Sequence, residues 1–353
     1  MQIALIGWQS SGKSSLFKAV TGAEPSVGEE AHPGVATVPD AVLDNLHQLY
    51  PPAKKVRARV DYLDIVGLSA GQKKSGFKRS LVNHLQGSTV LAAVIGVFQH
   101  GELDAASLAE DALMQLADLE TEMLLSDLAT AEPRLEKIDA QKKRGQKIDD
   151  FERQALVRSL ELLNEERPLR ELEYTAEEEK AIRGLGFLTQ KPLLIVVNHG
   201  EDQDGDAVQS ELVKSISGTL KQAIVLNTAL EAEIGALEEV DRAAFLEEMG
   251  IATPAADKVI QASFEMLGLI RFFTVGDDEC RSWPIVDGTP AVSAAGTIHS
   301  DLERGFIRAE VVHADDLLRL GAMSKCRDEG LLRLEGKQYI VKDGDIMHIR
   351  FAV

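Results

Sequence analysis

Blocks of apolar and polar positions alternate along the first part of the chain. Gln2 to Ile6 is an apolar run of strand length, followed by a glycine-rich turn and a stretch that predicts a helix from about Lys13 to Thr21. Val56 to Ile65 predicts a second strand. Val90 to Phe98 predicts a third, so nearly all apolar that both its faces must be buried. Strands alternating with helices in this way predict an α/β fold, a mostly parallel doubly wound sheet.

From Leu108 to Leu185 the texture changes. Glu, Asp, Lys, Arg, Leu and Ala dominate, and apolar residues recur at helical spacing in Leu113, Leu116, Met123 and Leu124, then in Phe151, Ala155, Leu160 and Leu163. The polar stretch Lys142-Lys143-Arg144-Gly145-Gln146-Lys147 lies between the two sets and reads as a tip. Two long antiparallel helices fit, an arrangement more often used for spacing or partner binding than for catalysis. The sheet resumes at Pro192 to Val197, which ends at Asn198, and at Ala223 to Leu226. The last region is rich in strands and short loops. Thr289-Pro290 predicts a helix start with threonine as N-cap, and Lys342-Asp343-Gly344-Asp345 a turn between Tyr339-Ile340-Val341 and Ile346 to Phe351. The expected division is residues 1–107 with 186–266 as one discontinuous domain, 108–185 as a helical insert, and 267–353 as a small α+β domain.

Composition narrows the function classes. At 353 residues, 44% of them hydrophobic, the chain is long enough for two or three cores, yet no apolar run reaches the roughly 18 residues that span a bilayer. The N-terminus is already strand-like and carries no basic leader, so a cytoplasmic protein without a membrane partner is expected. Cys280 and Cys326 are the two cysteines, far apart and outside any metal spacing, which fits a reducing compartment. The formal net charge of -19 disfavours a protein that coats nucleic acid. Within that acidic whole, Lys73-Lys74 with Lys78-Arg79 is the strongest local basic stretch, and a solvated face is its simpler reading.

The chemistry is concentrated in three short segments. Gly7-Trp8-Gln9-Ser10-Ser11-Gly12-Lys13-Ser14 satisfies G-x-x-x-x-G-K-[ST], with a strand before it and a helix after it. Glycines let such a loop wrap until its N–H groups converge on phosphate, and the helix N-terminus adds positive potential. Lys13 would reach the β- and γ-phosphates as a catalytic residue, and the Ser14 hydroxyl would ligate Mg²⁺. Gly7, Gln9, Ser10, Ser11, Gly12, Lys13, Ser14 and Ser15 are therefore candidate nucleotide-binding residues. Asp64-Ile65-Val66-Gly67 closes the next strand. There Asp64 is a candidate for the Mg²⁺ shell, and the Gly67 N–H a candidate γ-phosphate sensor counted with the catalytic set. Asn198-His199-Gly200-Glu201 ends a later strand, at the place where nucleotidases of this layout carry N-K-x-D. Asn198, His199 and Glu201 are candidates for the base, together with Thr228 and Ala229 just past the following strand. Glu201 is one methylene longer than aspartate and His199 replaces lysine, which weakens the case for guanine.

These residues, with many others, resemble the Obg-like ATPases, the YchF family of translation-factor-class P-loop nucleotidases. The resemblance covers nearly the whole length. It is most specific in Phe273-Thr274-Val275-Gly276, Glu279, Arg281, Trp283, Ala294-Ala295-Gly296, Ile298-His299, Asp301 and Glu303, then in Gly305-Phe306-Ile307-Arg308-Ala309-Glu310, Tyr339-Ile340-Val341 and Asp343-Gly344-Asp345-Ile346-Met347. Ala181-Ile182-Arg183, Phe187-Leu188-Thr189, Lys191-Pro192 and Glu231-Ala232-Glu233-Ile234 agree as well. The resemblance implies a G domain interrupted by a coiled-coil-like arm and followed by a TGS domain of β-grasp fold. It also implies hydrolysis of ATP in preference to GTP, association with the ribosome or its RNA and protein, and a monomer. Leu68, after D-x-x-G, agrees with the hydrophobic residue the family carries where Ras-like enzymes carry glutamine.

The chain also departs from the family. Gln9 and Ser10 stand where it has proline and asparagine. The asparagine helps related nucleotidases hold K⁺, so a potassium requirement stays open. Aligning on Val38-Pro39-Asp40 and Leu43-Asp44 puts the family's switch threonine near Gly28, with Thr37 falling on the next strand as a structural residue. Lys73-Lys74-Ser75-Gly76-Phe77-Lys78 replaces a glycine-rich run, and His100 is a loose counterpart of the family's histidine in the loop after Phe98. The binding half of the site is complete while the switching half is eroded. Slow turnover is therefore expected, with a GTPase or a binding module of negligible turnover as the alternatives.

Overall fold

The computed structural model describes residues 1–24, 30–51, 54–66, 77, 79–98, 103–216 and 223–352. The chain begins β1 (Gln2–Ile6), α1 (Lys13–Thr21), β2 (Ala31–Thr37), α2 (Ala41–Leu49), β3 (Lys54–Val56), β4 (Arg59–Ile65), α3 (Arg79–Gly87) and β5 (Val90–Gly96). Next come α4 (Ala105–Lys143), α5 (Asp150–Asn164), α6 (Ala176–Ile182), β6 (Leu193–Asn198), α7 (Gly205–Ser215), β7 (Ala223–Leu226), α8 (Thr228–Ala236), α9 (Glu239–Glu248) and α10 (Ala255–Met266). The last stretch holds β8 (Leu269–Val275), β9 (Glu279–Val286), α11 (Ala291–Ile298), α12 (Ser300–Arg304), β10 (Phe306–His313), α13 (Ala314–Leu320), α14 (Met323–Asp328), β11 (Arg333–Glu335) and β12 (Asp345–Phe351). Among the described residues no helix is long and apolar enough to cross a membrane. The chain divides into two compact units, Met1–Val35 with Asp61–Ala262 and Ala36–Val60 with Ser263–Val353.

In the first unit the sheet order is β2-β4-β1-β5-β6-β7. The strands β4, β1, β5, β6 and β7 form parallel ladders, with Leu5 opposite Asp64 and Ile6 opposite Ala93. All of β6 and all but the last residue of β5 are buried, as continuous apolar runs in a parallel sheet require. α1 buries Leu16, Phe17 and Val20, each contributing roughly 1.5–3 kcal/mol of transfer free energy.

α4 is one unbroken helix of 39 residues serving two cores. Its first half contributes Leu108, Ala112, Leu116, Leu119 and Met123 to the core that contains Ile6, Ile95 and Val197. Its second half packs Leu124, Ala131 and Ile138 with Ala155, Leu156 and Leu163 of α5. Arg134 clamps Glu152 across this pair with two hydrogen bonds of 2.6 and 2.8 Å. Both helices start on an aspartate cap, Asp104 accepting from Ser107 N and Asp149 from Phe151 N and Glu152 N.

The second unit is a mixed sheet in the order β11-β10-β12-β8-β9-β3. β10 with β12 and β8 with β9 are antiparallel, while β12 with β8 and β3 with β9 are parallel. α11 covers one face through Ala291, Ala294 and Ala295, and α2, α13 and α14 cover the other through Leu43, Leu46, Leu317 and Cys326. Residues 36–60, which the sequence division keeps with residues 1–107, pack in this unit. Capped by Asp40, α2 buries its apolar face against Phe273, Val312 and Ile346, and β3 pairs with β9. Correspondingly, the predicted strand Val56 to Ile65 is two strands in two sheets, parted at Arg57 and Ala58, where Arg57 turns to bond Asp44. The expected threonine cap at Thr289 is also corrected. Pro290 occupies the N-cap position of α11 without a side-chain cap, and the Thr289 hydroxyl donates to Val286 O instead.

Candidate functional site

Parallel pairing brings the carboxyl ends of β1, β4, β5 and β6 to one edge, where α1 begins. The loop between β1 and α1 needs its glycines for two different reasons. A Cβ at Gly7 would lie 2.3 Å from Val94 O, so the loop can run this close to β5 only without a side chain. Gly12 has φ 96° and would place a Cβ 2.3 Å from Asn198 Nδ2. Ser10, where the family carries asparagine, takes φ 63°, in the left-handed region that asparagine tolerates better than serine.

Lys13 is only 5% exposed and donates from Nζ to the Trp8 carbonyl at 3.3 Å. Burial lowers its pKa, and the nearby Asp64 charge opposes that shift. Ser14 donates from Oγ to Asp64 Oδ2 at 3.0 Å, which joins the two candidate metal residues from α1 to β4. Burial raises the Asp64 pKa against the Ser14 hydrogen bond and the charges of Lys13 and His32. Asp64 Oδ1 is buried with no hydrogen-bond partner among the described residues. An orphaned carboxylate oxygen next to a hydroxyl suits a hard, oxygen-seeking cation, so Ser14 and Asp64 fit Mg²⁺. Such an ion would supply charge neutralisation at the phosphates.

The other side of the site is built around Asn198, the last residue of β6. Its Nδ2 donates to Ser11 O at 3.2 Å and its Oδ1 accepts from Thr228 N at 3.0 Å, so one amide pins the phosphate loop and the start of α8 together. Asn227 caps α8, accepting from Ala229 N and Leu230 N. The His199 ring Nδ1 lies 2.7 Å from Gly200 O, and the exposed Glu201 begins the turn beyond. A cavity of about 500 Å³ opens over these groups, a size that suits a small-molecule ligand.

Of the residues picked out in the sequence, Ser10, Gly12, Lys13, Ser14, Ser15, Asn198, His199, Glu201, Thr228 and Ala229 line this cavity. Gly7, Gln9 and Ser11 do not. Gly7 and Ser11 are buried within the loop, and Asp64 is joined to the lining through Ser14. Phe98, Gly200 and Asn227 line it too and were not singled out. Asn227 was findable as an N-cap ahead of a helix, and Phe98 had been absorbed into the apolar run of a strand. Thr37 ends β2 with its side chain exposed. Gly28, Gly67, Leu68, Lys73, Lys74, Lys78 and His100 lie outside the described residues.

Comparison with known proteins identifies relatives of the whole chain. A family profile described as 50S ribosome-binding GTPase matches residues 2–126. A second, YchF-GTPase_C, described as a protein of unknown function (DUF933), matches residues 269–352. The protein called "Ribosome-binding ATPase YchF" from Bacillus subtilis is 36% identical over 99% of this chain and 98% of its own length. Its counterpart in Escherichia coli O157:H7 is 32% identical over the same shares. In fold, the YchF GTPase of Schizosaccharomyces pombe matches with TM-score 0.78 at 24% identity, covering 99% of this chain and 97% of its own. A GTP binding protein from Pyrococcus horikoshii matches with TM-score 0.60 at 16% identity over the whole of both chains. Full-length identity at this level, on a P-loop GTPase-type domain, makes the chain a member of the YchF family.

Proposed function

We propose that this protein binds a purine nucleoside triphosphate with Mg²⁺ and hydrolyses it to the diphosphate and phosphate, favouring ATP over GTP, as a cytoplasmic, monomeric factor that acts on the ribosome. The observation that carries the reading is the Lys13–Ser14–Asp64 arrangement, a buried ammonium beside a hydroxyl bonded to a carboxylate whose second oxygen is unmatched. The ribosome is taken from relatives that bear the name ribosome-binding ATPase. We read residues 1–107 with 186–266, less the segment 36–60 that packs in the second unit, as the G domain, 108–185 as the coiled-coil-like arm and 267–353 as the TGS domain. The α4–α5 pair supports the arm, and a helix-backed mixed sheet supports the β-grasp reading. ATP is favoured because Glu201 is exposed and longer than aspartate, which displaces the carboxylate that guanine's two donors would need. GTP remains a possible second ligand.

Turnover is proposed to be slow. Leu68 cannot orient water, Ser10 replaces the asparagine that would help hold K⁺, and no threonine stands at the expected switch position. Phosphoryl transfer relies on positioning and charge stabilisation, and these losses weaken both. The same losses favour a second reading, a nucleotide-dependent binding module with negligible turnover. Phosphate release from Mg·ATP, followed in matched KCl and NaCl buffers with and without ribosomes, separates the two. The hydrolase reading expects rates well below the roughly 1–10³ s⁻¹ common among enzymes, nearly equal in both salts and raised by ribosomes. No phosphate above background in any arm overturns it in favour of the binding module. Fast release stimulated by potassium contradicts the eroded switch.

A further inference from the structure

The phosphate motif places no demand on its second position, yet this chain has a tryptophan there. Trp8 meets the site from two sides. Its main-chain oxygen accepts from Ser11 N at 3.2 Å and from the Lys13 ammonium at 3.3 Å, so it fixes both the turn of the loop and the lysine. Its indole packs against the core of the first unit, and Nε1 donates to the main-chain oxygen of Gln115 on α4 at 3.4 Å. Gln115 donates from Nε2 to Gly96 O, the last residue of β5, at 3.0 Å, and to Asp111 Oδ2 at 2.7 Å. A Cβ at Gly96 would lie 3.0 Å from Ser11 Cα, so this strand end abuts the loop without slack. Trp8, Gln115, Gly96 and Ser11 thus close a ring of contacts in which α4 is one member and the phosphate loop another. Leucine or phenylalanine would fill the same apolar space. The indole N–H adds a donor that finds its acceptor on the helix.

We propose that Trp8 is a positioning residue through which α4 sets the phosphate loop and Lys13. This rests on the nucleotide reading above and adds a route by which that site is regulated. A shift of the turn of α4 at Asp111–Gln115 moves Trp8 and, through its carbonyl, the lysine. By reciprocity of linked equilibria, phosphate held by Lys13 is felt in return at α4. Because α4 runs unbroken from Gln115 to Lys143, into the core it shares with α5, engagement of the far end of the helical pair has a mechanical path to the phosphates.

Trp8 and Trp283 are the two tryptophans of the chain, so Trp283→Phe leaves Trp8 as the sole indole reporter. That protein is titrated with Mg·ATP while Trp8 emission and binding heat are followed in parallel. The emission maximum is expected to move with the same Kd that the heat reports. Adding Gln115→Ala, which keeps the main-chain acceptor of the indole and removes the tie from α4 to Gly96 O, is expected to at least halve the emission change and to weaken binding about threefold to tenfold, the scale of one lost hydrogen bond. Trp8→Phe should weaken binding by a similar factor, and the double variant no further than the worse single one, since both cut the same ring. Unchanged emission at calorimetric saturation overturns the proposal, as do losses that multiply in the double variant. The emission arm keeps Trp8 intact, so the test does not depend on Trp8→Phe folding. If neither wild type nor Trp283→Phe binds ATP or GTP by calorimetry, the nucleotide reading itself fails and the coupling falls with it.

Discussion

The Lys13 ammonium is held in a buried position by one carbonyl, within reach of the Asp64 charge, and its burial makes a protonated amine costly there. A bound phosphate would stabilise that charge. The lysine is thus adapted to a ligand more than to the fold, and Lys13→Ala should leave the protein folded. A charge-assisted contact contributes roughly 1.5–3 kcal/mol, so its loss should weaken Mg·ATP binding about ten- to a hundredfold. Calorimetric titration beside a circular dichroism melt checks both halves, and unchanged affinity would remove Gly7 to Ser14 as the phosphate site. At this scale the sequence was most informative where chemistry follows spacing along the chain. Gly7, Gly12, Lys13 and Ser14 declare themselves because a strand, a loop and a helix supply the whole geometry locally. Phe98 and Gly200 enter the cavity only when β5 and β6 are laid side by side, a fact absent from either segment alone.

Among the elements, α4 has the most consequential attachment. Asp127, midway along it, accepts from Leu188 N at 2.7 Å, Thr189 N at 2.8 Å and Thr189 Oγ1 at 2.7 Å, which ties the helix to the segment that leads into β6. Burial pushes the Asp127 carboxyl up to about 6, against the pull of those donors. Its folded pKa therefore lies above its unfolded value, and the folded protein binds this proton more tightly. The stability so gained is fully present below the unfolded pKa and is lost as pH rises through about 6. Asp127→Asn removes this titration and faces backbone donors with an amide that cannot accept from all of them, a cost of about 2–3 kcal/mol at pH 7. Urea denaturation of both proteins at pH 7 and pH 5 tests the sign: the wild-type advantage should grow by about 1 kcal/mol at pH 5. A smaller advantage at pH 5 would show that the carboxylate is needed ionised. β1, β5, β6 and β7 of the first sheet and the helices α4 and α5 were legible from the apolar pattern, whereas β2 was not and β4 was read together with β3 as one strand. Nor was the packing of residues 36–60 legible. The apolar face of α2 says that it must pack, but not that its partners are Phe273, Val312 and Ile346, more than two hundred positions away.

For the whole molecule, a net charge of -19 and the proposed phosphate loop are in tension, which Lys13, the loop N–H groups and the start of α1 would resolve locally. Identity across the full length of named relatives fixes the family, and two residues that depart from its pattern, Gln9 and Ser10, stand in the loop between β1 and α1. What distinguishes this member from its relatives is therefore expected in how it holds and spends nucleotide, while its architecture stays theirs. Guanine specificity requires an acid placed to receive two donors, and an unmet donor costs about 1–3 kcal/mol. On the proposed reading Glu201, exposed and one methylene too long, would give guanine no such advantage. The decisive measurement is calorimetric titration of the wild-type protein with Mg·ATP and with Mg·GTP under matched conditions. The account predicts that both bind through one site and that ATP binds at least as tightly as GTP. A GTP preference above about tenfold, well beyond one unmatched hydrogen bond, would contradict it, as would the absence of binding by either nucleotide.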